Sequence, residues 1–111
     1  MLPSKLRLPM VEARRLLKTG QRVRSESLEL IYSASQKLHP RWLVQVPKRV
    51  VKLATRRNRL KRVLHQAAFV CHSKVTTPSD FLIRVKQPLP HYSSKQATKD
   101  LSELLVQTKT T

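Results

Sequence analysis

The amino-acid sequence predicts an α+β fold in which helices pack on one small sheet. Three observations lead there. Apolar residues recur at helical period near residues 10–17, 60–71 and 97–105. Extended, period-two patterns occupy the stretches near residues 28–32, 42–46 and 81–85. The resulting order of helix, strands, helix, strand, helix has too few helices to alternate regularly with the strands. A chain of 111 residues with 40% hydrophobic content can bury one modest core. One domain spanning 1–111 is therefore expected, with loose ends at 1–8 and 107–111.

The first helix begins after Pro9, a residue tolerated at a helix start. Met10, Ala13, Leu16 and Leu17 are its apolar side, with Arg14, Arg15 and Lys18 between them. Gly20, the chain's one glycine, is expected to end it in the left-handed conformation common at helix C-termini. From Ser27 a strand places Leu28, Leu30 and Tyr32 on one face and Glu29 and Ile31 on the other. Residues 33–40 read as a polar turn, and Trp42 to Val46 as a second strand closed by Pro47. Two strands so close in sequence suggest an antiparallel pair. Leu60, Val63, Leu64, Ala67 and Cys71 then fall at i, i+3, i+4, i+7 and i+11, the clearest helical stripe in the chain. A turn around Pro78 leads to a strand with Phe81, Ile83 and Val85 on one face. Ser93 or Ser94 caps a last helix lined by Ala97, Leu101, Leu104 and Leu105.

Charge narrows the function. Lys and Arg number 23 against 6 Asp and Glu, a formal +17 on 12.9 kDa. Self-repulsion on that scale opposes a compact state, and a polyanion relieves it, so nucleic acid or an anionic surface is the expected partner. The early prolines and charges exclude a secretion signal, and no apolar run reaches the ~18 residues of a membrane span. Cys71 has no second cysteine to pair with, in keeping with a reducing, cytoplasmic setting.

Between Lys48 and His65 there are eight basic residues and no acidic one: Lys48, Arg49, Lys52, Arg56, Arg57, Arg59, Lys61 and Arg62. On a helix, Asn58, Arg59, Lys61 and Arg62 point away from the Leu60, Val63 and Leu64 stripe. A merely solvated helix face mixes charge signs to form i,i+4 pairs, whereas here Arg57 and Lys61 repel each other. A guanidinium donates two parallel hydrogen bonds to phosphate oxygens and desolvates more easily than an ammonium, so this face suits a phosphate backbone. Arg14, Arg15, Lys18, Arg22 and Arg24 form a second basic cluster that RNA could reach.

The segment Ala54-Thr55-Arg56-Arg57-Asn58-Arg59-Leu60-Lys61-Arg62-Val63-Leu64 resembles the Arg-Asn-Arg helix signature of the bacterial ribonuclease P protein subunit. Leu6-Arg7-Leu8, the helix from Glu12 to Lys18 with Gly20 behind it, and Val46-Pro47-Lys48-Arg49 are spaced as in that family, so the resemblance covers most of the chain. It implies a sandwich similar to the second domain of ribosomal protein S5, with a left-handed βαβ crossover presenting the basic helix. It also implies a subunit of an endoribonuclease whose chemistry belongs to a large RNA with bound magnesium. The protein then binds that RNA and the 5′ leader of precursor tRNA, promoting formation of the mature tRNA 5′ end. One protein per RNA and no membrane contact are expected.

Carried across by resemblance, Lys48, Arg49, Lys52, Arg56, Arg57, Asn58, Arg59, Lys61 and Arg62 are the RNA-binding residues. Ala13 and Leu17 stand where the family usually has aromatic residues, and Tyr32 is the nearby ring that could serve as a stacking platform, which makes these three the candidate leader contacts. No catalytic residue and no protein-bound metal or cofactor are expected. His39, His65, His72 and His91 lack a supporting acid or base partner, and Cys71-His72 lacks the second ligand pair of a zinc site. The competing reading is a structural or ribosomal RNA-binding protein without a processing role. A DNA regulator would need a paired recognition helix that the sequence does not offer.

Overall fold

The computed structural model describes residues 3–35, 37 and 39–108. After a single 3-10 turn at Ser4–Leu6 come α1 (Met10–Thr19), β1 (Gln21–Arg24), β2 (Leu28–Ala34), β3 (Arg41–Gln45), α2 (Ala54–His72), β4 (Ser79–Val85) and α3 (Ser94–Thr108). Three helices thus pack on one mixed four-stranded sheet, an α+β fold as the sequence predicts.

The strand order is β1-β2-β4-β3. Pairing is antiparallel between β1 and β2 and between β2 and β4, and parallel between β3 and β4. The expected β2–β3 hairpin is therefore wrong, because β4 lies between those strands. Parallel neighbours need a crossover of a dozen or more residues, and α2 with its flanking loops supplies it. Strand β1 was absent from the sequence reading. Its four residues Gln-Arg-Val-Arg carry one apolar side chain, too little for a period-two signal.

Alternation along each strand sends side chains to two cores. On one face Leu28, Leu30, Trp42, Val44, Phe81, Ile83 and Val85 meet Leu60, Leu64, Ala67, Ala68 and Cys71 of α2 and Ala97, Leu101, Leu104 and Leu105 of α3. Trp42 and Phe81 stack there with ring centroids 4.5 Å apart. The opposite face is smaller: Ile31 and Leu82 are covered by Ala13 and Leu16 of α1 and by Leu8. Ser93 caps α3 by accepting the Gln96 amide at 3.1 Å.

Gly20 is glycine for a different reason from the one expected. Its backbone is extended, with φ −72° and ψ 157°, not left-handed. A Cβ there would lie 2.7 Å from the Leu16 carbonyl oxygen and 2.9 Å from Ile31 Cγ2. The residue lets β1 start directly against the end of α1.

Residues 3–8, read from sequence as loose, pack against the sheet edge. Leu6 and Leu8 are buried, and the Leu8 amide donates to the Trp42 carbonyl at 2.8 Å. At the other end α3 runs to a buried Thr108. Residues 1–2 and 109–111, the remainder of the expected loose ends, lie outside the described residues.

Arg41 fixes α1 to the sheet. Its Nε and Nη2 donate to the two Asp80 carboxylate oxygens at 3.0 and 3.1 Å, and Nη1 lies 2.8 Å from Glu12 Oε2. Two carboxylates compensate the burial of one guanidinium. The hydrogen bond from Arg41 holds the Glu12 carboxyl below its ordinary range, and the two carboxylates raise Arg41 further above its own.

Candidate nucleic-acid interface

Helix α2 carries the basic segment, and its stripe decides what faces outward. Leu60, Leu64, Ala67, Ala68 and Cys71 go to the core. Val63, expected in the stripe, is half-buried at its margin, and Ala68 takes a core position instead. With that side turned inward, Arg56, Asn58, Arg59 and Arg62 are exposed, and Arg57 and Lys61 are partly so. Lys48, Arg49 and Lys52 are exposed on the loop that leads from β3 into α2. All nine residues expected to bind RNA thus reach the surface on one continuous segment.

The N-terminus of α2 is not built for stability in isolation. Its N-cap is Leu53, no side chain caps it, and its first turn holds no acid. Arg56 and Arg57 sit in that turn instead. Unsatisfied amides and the helix dipole make this end positive, so cations there are unfavourable unless an anion is brought to them. An external phosphate reverses the sign of that interaction.

Two of the arginines also hold the surface in shape. Arg57 Nη1 donates to the Val51 and Lys52 carbonyls at 3.0 and 2.8 Å, fixing the loop before α2. Arg59 Nη2 donates to the Tyr92 carbonyl at 3.0 Å, reaching the loop before α3. Tyr92 in turn donates its hydroxyl to Asp100 Oδ2 at 2.6 Å, and burial followed by that carboxylate pushes its phenol far above the ordinary range. Each guanidinium has five N–H groups, so donors remain for a ligand. From sequence, Arg57 and Arg59 are expected only to face RNA off the core. Their backbone contacts are tertiary and left no trace in periodicity.

The candidate leader residues do not meet on one surface. Ala13 is 1% exposed beneath α1, and Leu17 packs half-buried against the same cluster. Tyr32 lies on the other face of the sheet, 6.4 Å from the Phe81 ring, with its hydroxyl donating to Gln21 Oε1 at 2.8 Å. Ile31 is the β2 residue that faces α1. A one-residue step along a strand exchanges faces, which is why proximity in sequence misassigned the tyrosine.

The second basic cluster is also divided. Arg14, Arg15 and Lys18 are exposed on α1. Arg22 and Arg24 instead turn to Glu29 on the adjacent strand, at 3.4 and 2.7 Å. Among the described residues, no three His, Cys, Asp or Glu side chains come together as metal ligands would. His72 accepts a hydrogen bond at Nδ1 from Trp42 Nε1 at 3.2 Å, and burial lowers its pKa. His65 is lowered as well, by burial and then by Arg7 and other nearby positive charges. Cys71 is buried against Ser102 Oγ and the Thr98 carbonyl. No described helix is long and apolar enough to cross a membrane.

A family model described as Ribonuclease P matches residues 9–109. Among solved structures, the chain is similar to the RNase P protein of Staphylococcus aureus, with 21% identity, a TM-score of 0.79, and coverage of 95% of this chain and 96% of that one. A mutant of the Staphylococcus aureus protein with defective mRNA degradation activity matches at 20% identity and TM-score 0.83, covering 96% and 91%. The RNase P protein from Thermotoga maritima matches at 19% identity and TM-score 0.81, covering 91% and 96%. At these identities the structural likeness carries the fold.

Proposed function

The chain belongs to the ribonuclease P protein family, and from that premise we propose that it is the protein subunit of a ribonuclease P, binding the catalytic RNA and the 5′ leader of precursor tRNA so that the leader is removed. In this reading the hydrolysis belongs to the RNA and its magnesium, and one protein serves one RNA in a cytoplasmic complex. The chain's own residues hold phosphates. The observation that carries the proposal is the outward face of α2, where Arg56, Asn58 and Arg62 stand exposed over a buried Leu60 and Leu64. Arg57 and Arg59 act there both as donors and as clamps on the flanking loops.

Reconstitution tests the reading. Added to a bacterial ribonuclease P RNA at low magnesium, the protein is expected to accelerate precursor tRNA cleavage. No acceleration despite RNA binding would replace it with the structural RNA-binding alternative.

The α2 face has its own test. Arg56→Ala and Arg62→Ala are each expected to weaken affinity for the RNA roughly tenfold, the usual cost of losing one charge-assisted contact. Each should also reduce the slope of log affinity against log salt by about one. Neither side chain makes a structural contact comparable to those of Arg57 and Arg59, so thermal stability should stay near the parent value. Unchanged affinity and slope in both variants would count against this face.

A further inference from the structure

Helix α2 changes character along its length. Residues 48–62 hold the eight cations of the basic segment, whereas residues 63–73 hold no Lys, Arg, Asp or Glu, in a chain of which 26% is charged. The outward side of that second stretch is not polar either. Phe69 and Val70 stand there 49% and 43% exposed, and Val106 on α3 is 68% exposed. Apolar residues exposed singly are ordinary, whereas an exposed cluster marks a surface that meets something.

The packing of α3 beside α2 gathers these side chains. Arg59 reaches the Tyr92 carbonyl at one end of the contact, and Cys71 Sγ lies 3.4 Å from Ser102 Oγ at the other, so the two helices run side by side in the same sense. Val70 follows Arg59 by about three turns and therefore lies on the flank of α2 that reaches toward α3. Phe69 is about 100° further round and points straight out. On α3, Lys95, Lys99, Ser102 and Val106 follow one another at i, i+4, i+7 and i+11 and share the flank that meets α2 at Ser102.

Charge at the border says what fits there. Lys74 just beyond α2 and Lys95 and Lys99 on α3 are exposed, against one exposed acid, Glu103. An occupant thus meets apolar side chains in the middle and cations at the rim, the pattern of a protein interface. A helix with one apolar stripe and acidic flanks complements both parts. A phosphate backbone would find cations only at the border and would be held against Phe69 and Val70. A second copy of the chain would bring another +17 and the same lysines, so like charges would meet across the contact.

We propose that the outer surface formed by the end of α2 and the adjoining flank of α3 docks an acidic amphipathic helix of a protein partner. Phe69 is the aromatic anchor, Val70 and Val106 extend the apolar floor, and Lys74, Lys95 and Lys99 pair with the partner's carboxylates. Both helices are held by the core beneath them, through Ala67, Ala68 and Cys71 on α2 and Leu101, Leu104 and Leu105 on α3. The surface is therefore ordered before the partner arrives, which spares the cost of ordering it on binding. Helix α2 then serves two ligands, with a polyanion at its basic beginning and a protein at its neutral end. The docking surface does not depend on the proposed RNA partner.

The whole chain, labelled with nitrogen-15, tests this through its backbone amide resonances. The probe is a synthetic helical peptide with Leu at i, i+3, i+4 and i+7 spacing and Glu on the rest of its surface, and the control is an equally charged peptide with Ser at each Leu position. The Leu peptide is expected to shift the Phe69, Val70, Ser102 and Val106 amides along a saturable curve, whereas the Ser peptide should shift only amides of the basic segment near Arg56 and Arg59. Phe69→Ser, at an exposed position where folding is not at stake, should weaken the patch response about tenfold or more, and Phe69→Leu should keep most of it. Lys99→Glu should weaken it too and make it less sensitive to salt. RNA affinity should be the same in Phe69→Ser as in the parent. Equal patch responses to the two peptides would overturn the docking surface. So would patch amides that respond to an oligoribonucleotide at lower concentration than to the Leu peptide, or that shift with the concentration of the chain alone. Because the readout needs no ribozyme, a failed reconstitution would leave this result standing, and the converse holds too.

Discussion

Trp42→Ala is expected to lower the stability of the free protein by about 3–5 kcal/mol, the range for emptying a large aromatic site in a packed core. Trp42 is fully buried and its ring stacks on Phe81, itself fully buried. The side-chain loss extends to His72 at the end of α2. Trp42 also accepts the Leu8 amide through its carbonyl and donates its indole N–H to His72. Ala keeps the first of these contacts and removes the second, leaving His72 Nδ1 without its donor. Trp42→Phe fills part of the volume and should recover roughly half of the loss. Urea denaturation followed by circular dichroism measures both variants. An Ala variant within about 1 kcal/mol of the parent would show that this core is not the one that holds the fold.

The burial of His72 gives stability a pH dependence whose direction is fixed. Burial lowers the folded-state pKa of His72 and of His65 below the ordinary 6.5. The unfolded chain therefore takes up protons before the folded chain does. Stability from these groups is complete above the unfolded value and is lost as pH falls from there through the lower folded values.

Asp80→Ala is the second large effect, with an expected cost of about 3–5 kcal/mol, because removing one partner of a buried pair strands the other charge. Arg41 would lose both short bonds to Asp80 and keep only Glu12 from α1. Its side chain is 10% exposed, so water cannot readily replace the lost carboxylate. Glu12→Gln should cost clearly less, since Glu12 is more exposed and Asp80 remains. The variant is expected to loosen α1 first, which hydrogen exchange at the Leu16 and Ile31 amides would detect as faster exchange than in α3. Lowering the pH acts on the same contact. The folded-state pKa of Glu12 is depressed by Arg41, so its contribution is present above the unfolded carboxylate value and is lost as pH falls through the folded one. Acidification should therefore weaken the protein in two stages, the histidines before the carboxylate.

Much of the candidate surface could be read from sequence because it depends on one helix. The stripe of Leu60, Leu64, Ala67 and Cys71 fixes which side of α2 is buried, and a 3.6-residue repeat then fixes that Arg56, Asn58, Arg59 and Arg62 are outside. Strands β2, β3 and β4 were legible for the same reason, since each has enough apolar alternation to declare itself. Partners were not legible. Alternation gives a face to each side chain but says nothing about which strand lies beside it, so the β4 insertion between β2 and β3 and the parallel β3–β4 pair went unseen. Tyr32 was assigned to the wrong surface through the same blindness: its own face was correctly read, but the face that receives α1 was not.

The apolar patch at the end of α2 belongs to both levels. Helical period alone turns Phe69 and Val70 outward, but only the packing of α3 beside α2 brings Lys95, Lys99 and Val106 to the same surface. Even Gly20 was identified by sequence as special for the wrong reason, since the close approach of Leu16 and Ile31 exists only once β1 folds back on α1. What the sequence by itself determined was each element's inside and outside, together with the excess of positive charge that requires an anionic partner. What only the tertiary structure decided was which outsides face one another. The first depends on the local geometry of helix and strand, and the second on contacts between residues far apart along the chain.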